Sequence, residues 1–383
     1  MRLIIAGGGT GGHLFPGIAV AEEFLARDRN NEVLFVGTSN GIEARAVPAA
    51  GYKLELISAA GIRGKGLISQ IRGGVMMLNG FNQSRKLIKS FRPDMVLGVG
   101  GYASLPMLLA ARQLNKTTYI HEQNAMPGNT NRLLGRLVDQ IFITVEESAG
   151  YFDKTKTMLT GNPLRRQILE GRGLGTRNLE PGTRDPGPVK DFFCSGSRVP
   201  SPGLNLLVFG GSQGARAINK AMVEALDQLK NFDGKLSIVH QTGAKELEEV
   251  RQGYSERGVA ADVRAFIDDM ASAYQSADLI ICRAGATTIA ELTACGKAAI
   301  FIPYPYAVDD HQRRNAEALV NKAAGFMLLE KELSGSRLAE KIILLANDRR
   351  LLENTGKLAF SMARLDAAKI IVDEMTGKTG KAG

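Results

Sequence analysis

The chain has 383 residues, 44% of them hydrophobic and 23% charged, which excludes a fibrous or wholly disordered protein and suits two domains better than one core. Its three cysteines, Cys194, Cys282 and Cys295, make no C-x-x-C pair, and no secretory leader or apolar run of the roughly 20 residues needed for a membrane span is present, pointing to a reducing, cytoplasmic setting. A formal net charge of +9 calls for an anionic partner.

The first predicted strand, Leu3 to Ala6, runs into "GGGTGGHLFPG", where Gly7, Gly9 and Gly12 fit the G-x-G-x-x-G spacing of a dinucleotide-binding turn. Such a site needs an acidic residue at the end of the second strand to hold a ribose. That strand, "EVLFVGT", ends in Gly37 and Thr38 with no carboxylate. A bare glycine turn before a helix offers N–H groups and a positive dipole end to a phosphate; the alternative is that the glycines only let helix and sheet pack closely.

Between Ser58 and Pro93 there is no Asp or Glu, while Arg63, Lys65, Arg72, Arg85, Lys86, Lys89 and Arg92 interleave with Leu67, Ile68, Ile71, Val75, Met76, Met77, Leu78 and Phe81. The mixture predicts either a membrane-surface element or a helix with a core face and a solvated basic face. A nucleic-acid groove would favour exposed aromatics for stacking, so nucleic acid is not expected.

Strands follow at "DMVLGVGG", "TTYIHEQN" and "QIFITV", then the Gly-, Pro-, Ser- and Arg-rich run Gly171 to Gly203 reads as an interdomain linker. Beyond it "LNLLVFGGSQGARAINKAMVEAL" echoes the opening: strand, Gly-Gly, hydroxyl residue, Gly, helix. Strands at "LSIVHQTG", "VRAFID", "DLIICRAG" and "AAIFIPYP" complete a second α/β half. No G-x-x-x-x-G-K-[ST] occurs, so two matched glycine turns favour diphosphate binding without nucleotide hydrolysis.

The four histidines fall near strand ends, where open α/β sheets bind ligands; His121 and His240 read as hydrogen-bonded structural groups. "HEQN" is not H-E-x-x-H and no D-x-D pair occurs, so no metal is expected. In "RAGATTIAE", Thr288 and Glu291 have capping-box spacing, yet a carboxylate one turn into a helix at this edge also suits two ribose hydroxyls. Both readings stay open.

"GGTGGHLFPG", "GGYASLP", "HEQN", "GNPLR", "GGSQGA", "FIDDM", "RAGATTIAE" and "DDHQRRNA" stand in the order found in the MurG family of peptidoglycan glycosyltransferases. Apart from the linker and the tail, the chain resembles that family throughout. The resemblance implies a GT-B fold, two Rossmann-like, doubly wound parallel-sheet α/β domains facing each other across a cleft. It implies an acceptor and membrane-docking domain over 1–165, a flexible linker over 166–203, a UDP-GlcNAc-binding domain over 204–355, and a C-terminal helix with a loose tail over 356–383.

The implied reaction is inverting transfer of GlcNAc from UDP-GlcNAc to the 4-hydroxyl of MurNAc in lipid I (undecaprenyl-diphosphate-MurNAc-pentapeptide), giving lipid II and UDP without a cofactor. Thr10, Gly11, Gly12, Asn124, Arg165, Ser212, Ile267, Ala286, Thr287, Thr288, Ile289, Ala290, Glu291 and Gln312 match the family's donor site. Ile267 would read uracil through its backbone, Glu291 the ribose, and Ser212 with its loop the diphosphate; Asn124 and Gln312 would face the sugar. His13 and Tyr102 would line the acceptor side, with His13 as the base. An anionic phospholipid surface on the cytoplasmic face of the inner membrane is the implied location, and other cell-wall enzymes are further candidate partners. The alternatives are a diacylglycerol glycolipid synthase, a UDP-GlcNAc epimerase, or a non-enzymatic nucleotide-sugar sensor. Retention of both "GGTGGH" and "GGYASLP" speaks against the sensor.

Overall fold

Aliphatic runs without polar alternation need helices over both faces to keep them from water. In the computed structural model, which describes residues 1–39, 41–59, 67–170, 203–211, 213–232, 234–307 and 310–379, with backbone alone at 67–72 and 378–379, these runs form two parallel sheets. Most of the expected linker, Ser212 and the last four residues lie outside that description, as do Arg63 and Lys65.

The first sheet has β1 (Arg2–Gly7), β2 (Glu32–Gly37), β3 (Lys53–Leu56), β4 (Met95–Gly100), β5 (Thr117–Glu122), β6 (Gln140–Ile143) and β7 (Thr157–Leu159), in the order β3-β2-β1-β4-β5-β6-β7. Along this half run α1 (Gly11–Arg27), α2 (Glu43–Ala49), α3 (Leu67–Phe91), α4 (Ser104–Gln113) and α5 (Asn129–Leu134), with α6 (Arg166–Glu170) after β7. The second sheet has β8 (Gly203–Phe209), β9 (Lys235–Gln241), β10 (Asp262–Arg264), β11 (Leu279–Cys282), β12 (Ala298–Phe301) and β13 (Phe326–Met327), in the order β10-β9-β8-β11-β12-β13. Its helices are α7 (Arg216–Leu229), α8 (Leu247–Glu256), α9 (Met270–Ser276), α10 (Ala286–Ala294), α11 (His311–Val320), α12 (Gly335–Asn347) and α13 (Arg349–Ser361), followed by α14 (Ala367–Thr379).

Each sheet is covered on both faces. In the first, Leu14, Ile18 and Phe24 of α1 pack on one side, and Ile88, Met107 and Leu108 of α3 and α4 on the other. In the second, α7 and α12 supply Ile218, Met222 and Leu338 to one core, and α10 and α11 supply Leu292 and Leu319 to the opposite one. The final helix returns to the first sheet: Ile371, Val372 and Met375 of α14 join its core, and Tyr119 Oη donates to the Met375 carbonyl at 3.2 Å. Residue 356, where the sequence suggests a terminal segment begins, lies within α13.

The strand order reverses between β1 and β4 and again between β8 and β11. Crevices form outside the carboxyl ends of strands at such switch points. The doubly wound arrangement expected from the sequence is the one observed. Among the described residues no helix is long and apolar enough to cross a membrane.

Candidate active site

The two switch points line one cleft of about 2390 Å³. Gly8 to His13, Gly100 to Tyr102 and Glu122 to Asn124 come from the first sheet; Gly210, Gly211, Ile267, Gly285 to Thr288 and Glu291 come from the second.

The first glycine turn holds an anion of its own. Glu43, from α2, accepts from Gly9 N at 2.7 Å and from Thr38 N at 2.9 Å and Thr38 Oγ1 at 3.0 Å. A carboxylate therefore does stand at the end of β2, contrary to the sequence reading; it arrives from five residues downstream. Both oxygens face the turn, and the residue is 1% exposed and does not line the cleft, so it fixes the loop and does not face a ligand there. Gly8 is needed for this: its φ is +142°, and a Cβ there would lie 2.3 Å from the Glu43 carboxyl carbon. Close packing thus explains part of the glycine run. Thr10, the N-cap of α1, makes no side-chain cap, and Gly11 and Gly12 at the start of that helix line the cleft.

His13 is held by the "HEQN" segment at the end of β5. Its Nδ1 lies 3.0 Å from Gln123 Oε1, while Gln123 Nε2 donates to the Val99 carbonyl at 2.9 Å and lies 3.1 Å from His121 Nδ1. His121 Nε2 in turn lies 3.1 Å from the Gly161 carbonyl. Burial pushes the His121 imidazole down to about 4, with the Gly161 bond opposing and the charge of His13 adding to the fall. Glu122 accepts from Asn124 N, Gly128 N and Asn131 Nδ2 at 2.9, 3.2 and 2.9 Å, which shapes the loop that presents Asn124. His240 is likewise buried, between Tyr254 Oη and Asn219 Oδ1 at 3.1 Å each. Both histidines have the structural place expected of them, and Tyr102 is exposed at the cleft beside Gly101.

On the opposite wall, Arg165 Nη2 and Nε donate to Glu291 Oε1 at 2.7 and 3.3 Å, and Tyr274 Oη donates to Oε2 at 2.9 Å. The guanidinium also lies over the Phe15 ring, 4.3 Å from its centroid. Burial is the largest single influence and disfavours the Arg165 cation, but the charge and hydrogen bond of Glu291, with smaller help from Tyr274 and Glu22, together outweigh it and the guanidinium pKa is raised. The capping-box reading of Glu291 fails: α10 starts at Ala286 after Gly285, so Thr288 is already inside the helix and caps nothing.

Gly285 to Thr288 and Glu291 line the cleft, whereas Ile289 and Ala290 do not. Helical rotation turns them away: Ile289 packs against the core, and the Ala290 carbonyl accepts from Thr293 Oγ1. Ile267 N donates to Gln241 Oε1 at 2.8 Å, so a backbone reading of uracil falls to the Ile267 carbonyl. Gln312 Oε1 accepts from Tyr304 N at 3.0 Å, also on the cleft wall. Ser212 lies outside the described residues, but Gly211, Gln213 and Gly214 beside it line the cleft ahead of α7, whose Ala215 N-cap adds no side-chain acceptor.

Besides the Arg165–Glu291 pair, other polar contacts join the two halves, among them Asn315 Nδ2 to Asn124 Oδ1 at 3.5 Å. Thr287 Oγ1 donates to the Gly12 carbonyl at 3.0 Å, Asn162 Nδ2 reaches Thr287 Oγ1 at 3.4 Å, and Asn315 Oδ1 accepts from Ala125 N at 3.2 Å. The sequence reading singled out none of Glu43, Gln123, Asn162, Gln241, Tyr274 or Asn315. Gln123, Asn162 and Asn315 sit inside the quoted motifs; the other three carry no local signal.

Residues 3–143 match the glycosyltransferase family 28 N-terminal domain, and residues 205–371 match the family 28 C-terminal domain. The chain is 66% identical over 380 residues to the Pelobacter propionicus UDP-N-acetylglucosamine--N-acetylmuramyl-(pentapeptide) pyrophosphoryl-undecaprenol N-acetylglucosamine transferase, covering 99% of this chain and 100% of that protein. It belongs to glycosyltransferase family 28. Within that family the crystal structure of Acinetobacter baumannii MurG matches with a TM-score of 0.74 at 30% identity, over 98% of this chain and 99% of that one. The UDP-GlcNAc 2-epimerase of Neisseria meningitidis shares the fold alone, with a TM-score of 0.62 at 12% identity over 98% and 100% of the two chains.

Proposed function

We propose that this family 28 protein moves GlcNAc from UDP-GlcNAc to the 4-hydroxyl of MurNAc in lipid I, releasing UDP and forming lipid II with inversion at the anomeric carbon. The observation that carries this is end-to-end identity of 66% with a transferase whose name states that donor and acceptor. The cleft supports it by setting a histidine on one wall and a carboxylate with a helix N-terminus on the other.

In this reading His13 takes the proton of the acceptor hydroxyl as its oxygen bonds to the anomeric carbon, a task suited to imidazole at neutral pH. The bond from that carbon to the diphosphate breaks, and its electron pair leaves on UDP. The glycine turn after β8 and the start of α7 supply fixed N–H donors for the charge that develops there. Glu291 accepts the ribose hydroxyls, and Asn124 and Gln312 orient the sugar.

The lipid chain of the acceptor keeps it in the bilayer, so we place the enzyme on an anionic membrane surface through α3. Met76 and Met77 of that helix line the cleft, and Val75, Leu78, Lys86 and Lys89 are exposed on it. Incubation with labelled UDP-GlcNAc and a lipid I analogue tests the assignment. Label in a disaccharide product supports it; release of ManNAc without any acceptor would establish the epimerase instead.

A further inference from the structure

We propose that Gln123 is a positioning residue for the transfer: it holds His13 with the proton on Nδ1, so that Nε2 carries the lone pair offered to the acceptor hydroxyl. The proposal rests on reading His13 as the base, and the hydrogen-bond chain behind the imidazole carries it. Proton positions along that chain follow from which groups can only accept.

The chain is anchored at both ends by backbone carbonyls. His121 Nε2 faces the Gly161 carbonyl at 3.1 Å, and a carbonyl only accepts, so the proton of a neutral His121 is on Nε2. Burial keeps that imidazole neutral near pH 7. Its Nδ1 is therefore bare and accepts from Gln123 Nε2, 3.1 Å away. The same Nε2 also faces the Val99 carbonyl at 2.9 Å and the His121 carbonyl at 3.3 Å, both of which only accept. Reversing the amide would set Oε1 against a carbonyl oxygen and a bare ring nitrogen, so its orientation is fixed. Gln123 Oε1 is left facing His13 Nδ1 at 3.0 Å, where it can only accept.

His13 consequently donates through Nδ1. Its other nitrogen, Nε2, has no hydrogen-bond partner among the described residues, and the side chain borders the cleft. Gly100 makes the arrangement possible, because a Cβ there would lie 2.8 Å from His13 Nδ1. A second residue that fixes the tautomer of a catalytic imidazole is a general device, usually served by a carboxylate. A carboxylate at position 123 could accept from His13 but could not donate to Val99 or His121. Glutamine does both.

The test uses the full-length protein with ¹⁵N-labelled histidine. Two-bond ¹⁵N–¹H correlations recorded on the neutral imidazole should show the Nδ1–H tautomer of His13 in the wild type. In Gln123→Met the Nε2–H form should appear, kcat should fall roughly 10-fold to 100-fold, and KM for UDP-GlcNAc should stay within about 2-fold. Gln123→Glu restores only the acceptor, so recovery of the Nδ1–H signal and of part of kcat relative to Gln123→Met supports positioning. A merely structural glutamine predicts that Gln123→Glu is as impaired as Gln123→Met or more so, and that result overturns the proposal. A wild-type Nε2–H tautomer, or Gln123→Met with unchanged kcat, also overturns it. His13→Ala in the same assay separates the two ideas: normal turnover removes His13 as base, whatever the tautomer measured in the wild type.

Discussion

Arg165 and Glu291, 126 residues apart in sequence, close an ion pair of 2.7 Å between the two halves of the molecule. The side chains are 18% and 5% exposed, so the pair is largely withdrawn from water. Neither sequence reading of Glu291, capping box or ribose contact, included this pairing, which comes in addition to the proposed ribose role. Removing one member of a buried pair strands the other charge, which costs about 3 kcal/mol or more. Loss of an acceptor for two ribose hydroxyls costs about 2 to 3 kcal/mol of donor affinity. Glu291→Ala should thus weaken UDP binding in calorimetry and also lower the melting temperature. Adding Arg165→Met to it should recover part of the stability and none of the affinity. Full recovery of UDP affinity in the double variant would show that Glu291 acts only through Arg165.

His13→Ala should lower turnover by roughly 100-fold to 10,000-fold, the range for loss of a general base, with UDP affinity near normal. The His13 ring sits on the wall opposite Glu291, joined to Gln123 and to no donor-side residue among the described contacts. Single-turnover rates alongside UDP calorimetry check it. A rate within about 3-fold of wild type would remove His13 from the proton transfer.

What was legible in the sequence follows from what is buried. Leu3 to Ala6 and Leu279 to Cys282 read as strands because both faces are covered and every residue is apolar. The edge strands carry no such mark: "KLEL" of β3 is largely exposed, and β7 and β13 are only three and two residues long. The glycine turns and "HEQN" were visible as motifs, yet the partners that complete them were not. Glu43 reaches the first glycine turn and Tyr274 reaches Glu291 from separate elements, through tertiary contacts that leave no local pattern. The capping-box spacing at Thr288 and Glu291 was real, but the N-cap is Gly285, three residues earlier, and Glu291 faces Arg165 instead.

The two buried histidines should make the fold acid-sensitive above the range where carboxylates titrate. Burial lowers His121 to about 4 and His240 to about 3, against about 6.5 in the unfolded chain. Below about pH 6.5 the unfolded state binds more protons than the native one, so stability is intact above that value and is lost as pH falls toward the native values. By about pH 5 the loss is roughly 2 kcal/mol per histidine. His240→Gln keeps a donor for Asn219 and an acceptor for Tyr254. Urea unfolding at about pH 7.5 and pH 5 should show this variant losing roughly 2 kcal/mol less than wild type between them. An equal loss in both would show that His240 does not set the acid sensitivity.

The last prediction concerns α3 and the membrane. Val75, Leu78, Asn82, Lys86 and Lys89 recur at three- and four-residue spacing, so they share one face of the helix, and all five are exposed. Gly80, Ser84 and Ile88 form the buried face. Phe81, which the sequence offered for insertion, is instead half-buried against the core, and the side chains of Leu67, Ile68, Ile71 and Arg72 lie outside the described residues. The face thus offers Val75 and Leu78, 52% and 65% exposed, to the acyl boundary and the two lysines to anionic headgroups, each lysine adding about 1 kcal/mol. Neither contribution suffices alone, so binding should require anionic lipid and weaken with salt over a screening distance of about 8 to 10 Å. Leu78→Ser combined with Lys86→Ser and Lys89→Ser should abolish sedimentation with phosphatidylglycerol vesicles while leaving turnover of a short-chain, water-soluble acceptor within about 2-fold of wild type, because these side chains lie outside the cleft. If wild type and variant sediment equally with the vesicles, the stripe is a solvated helix face and the enzyme reaches its acceptor by another surface.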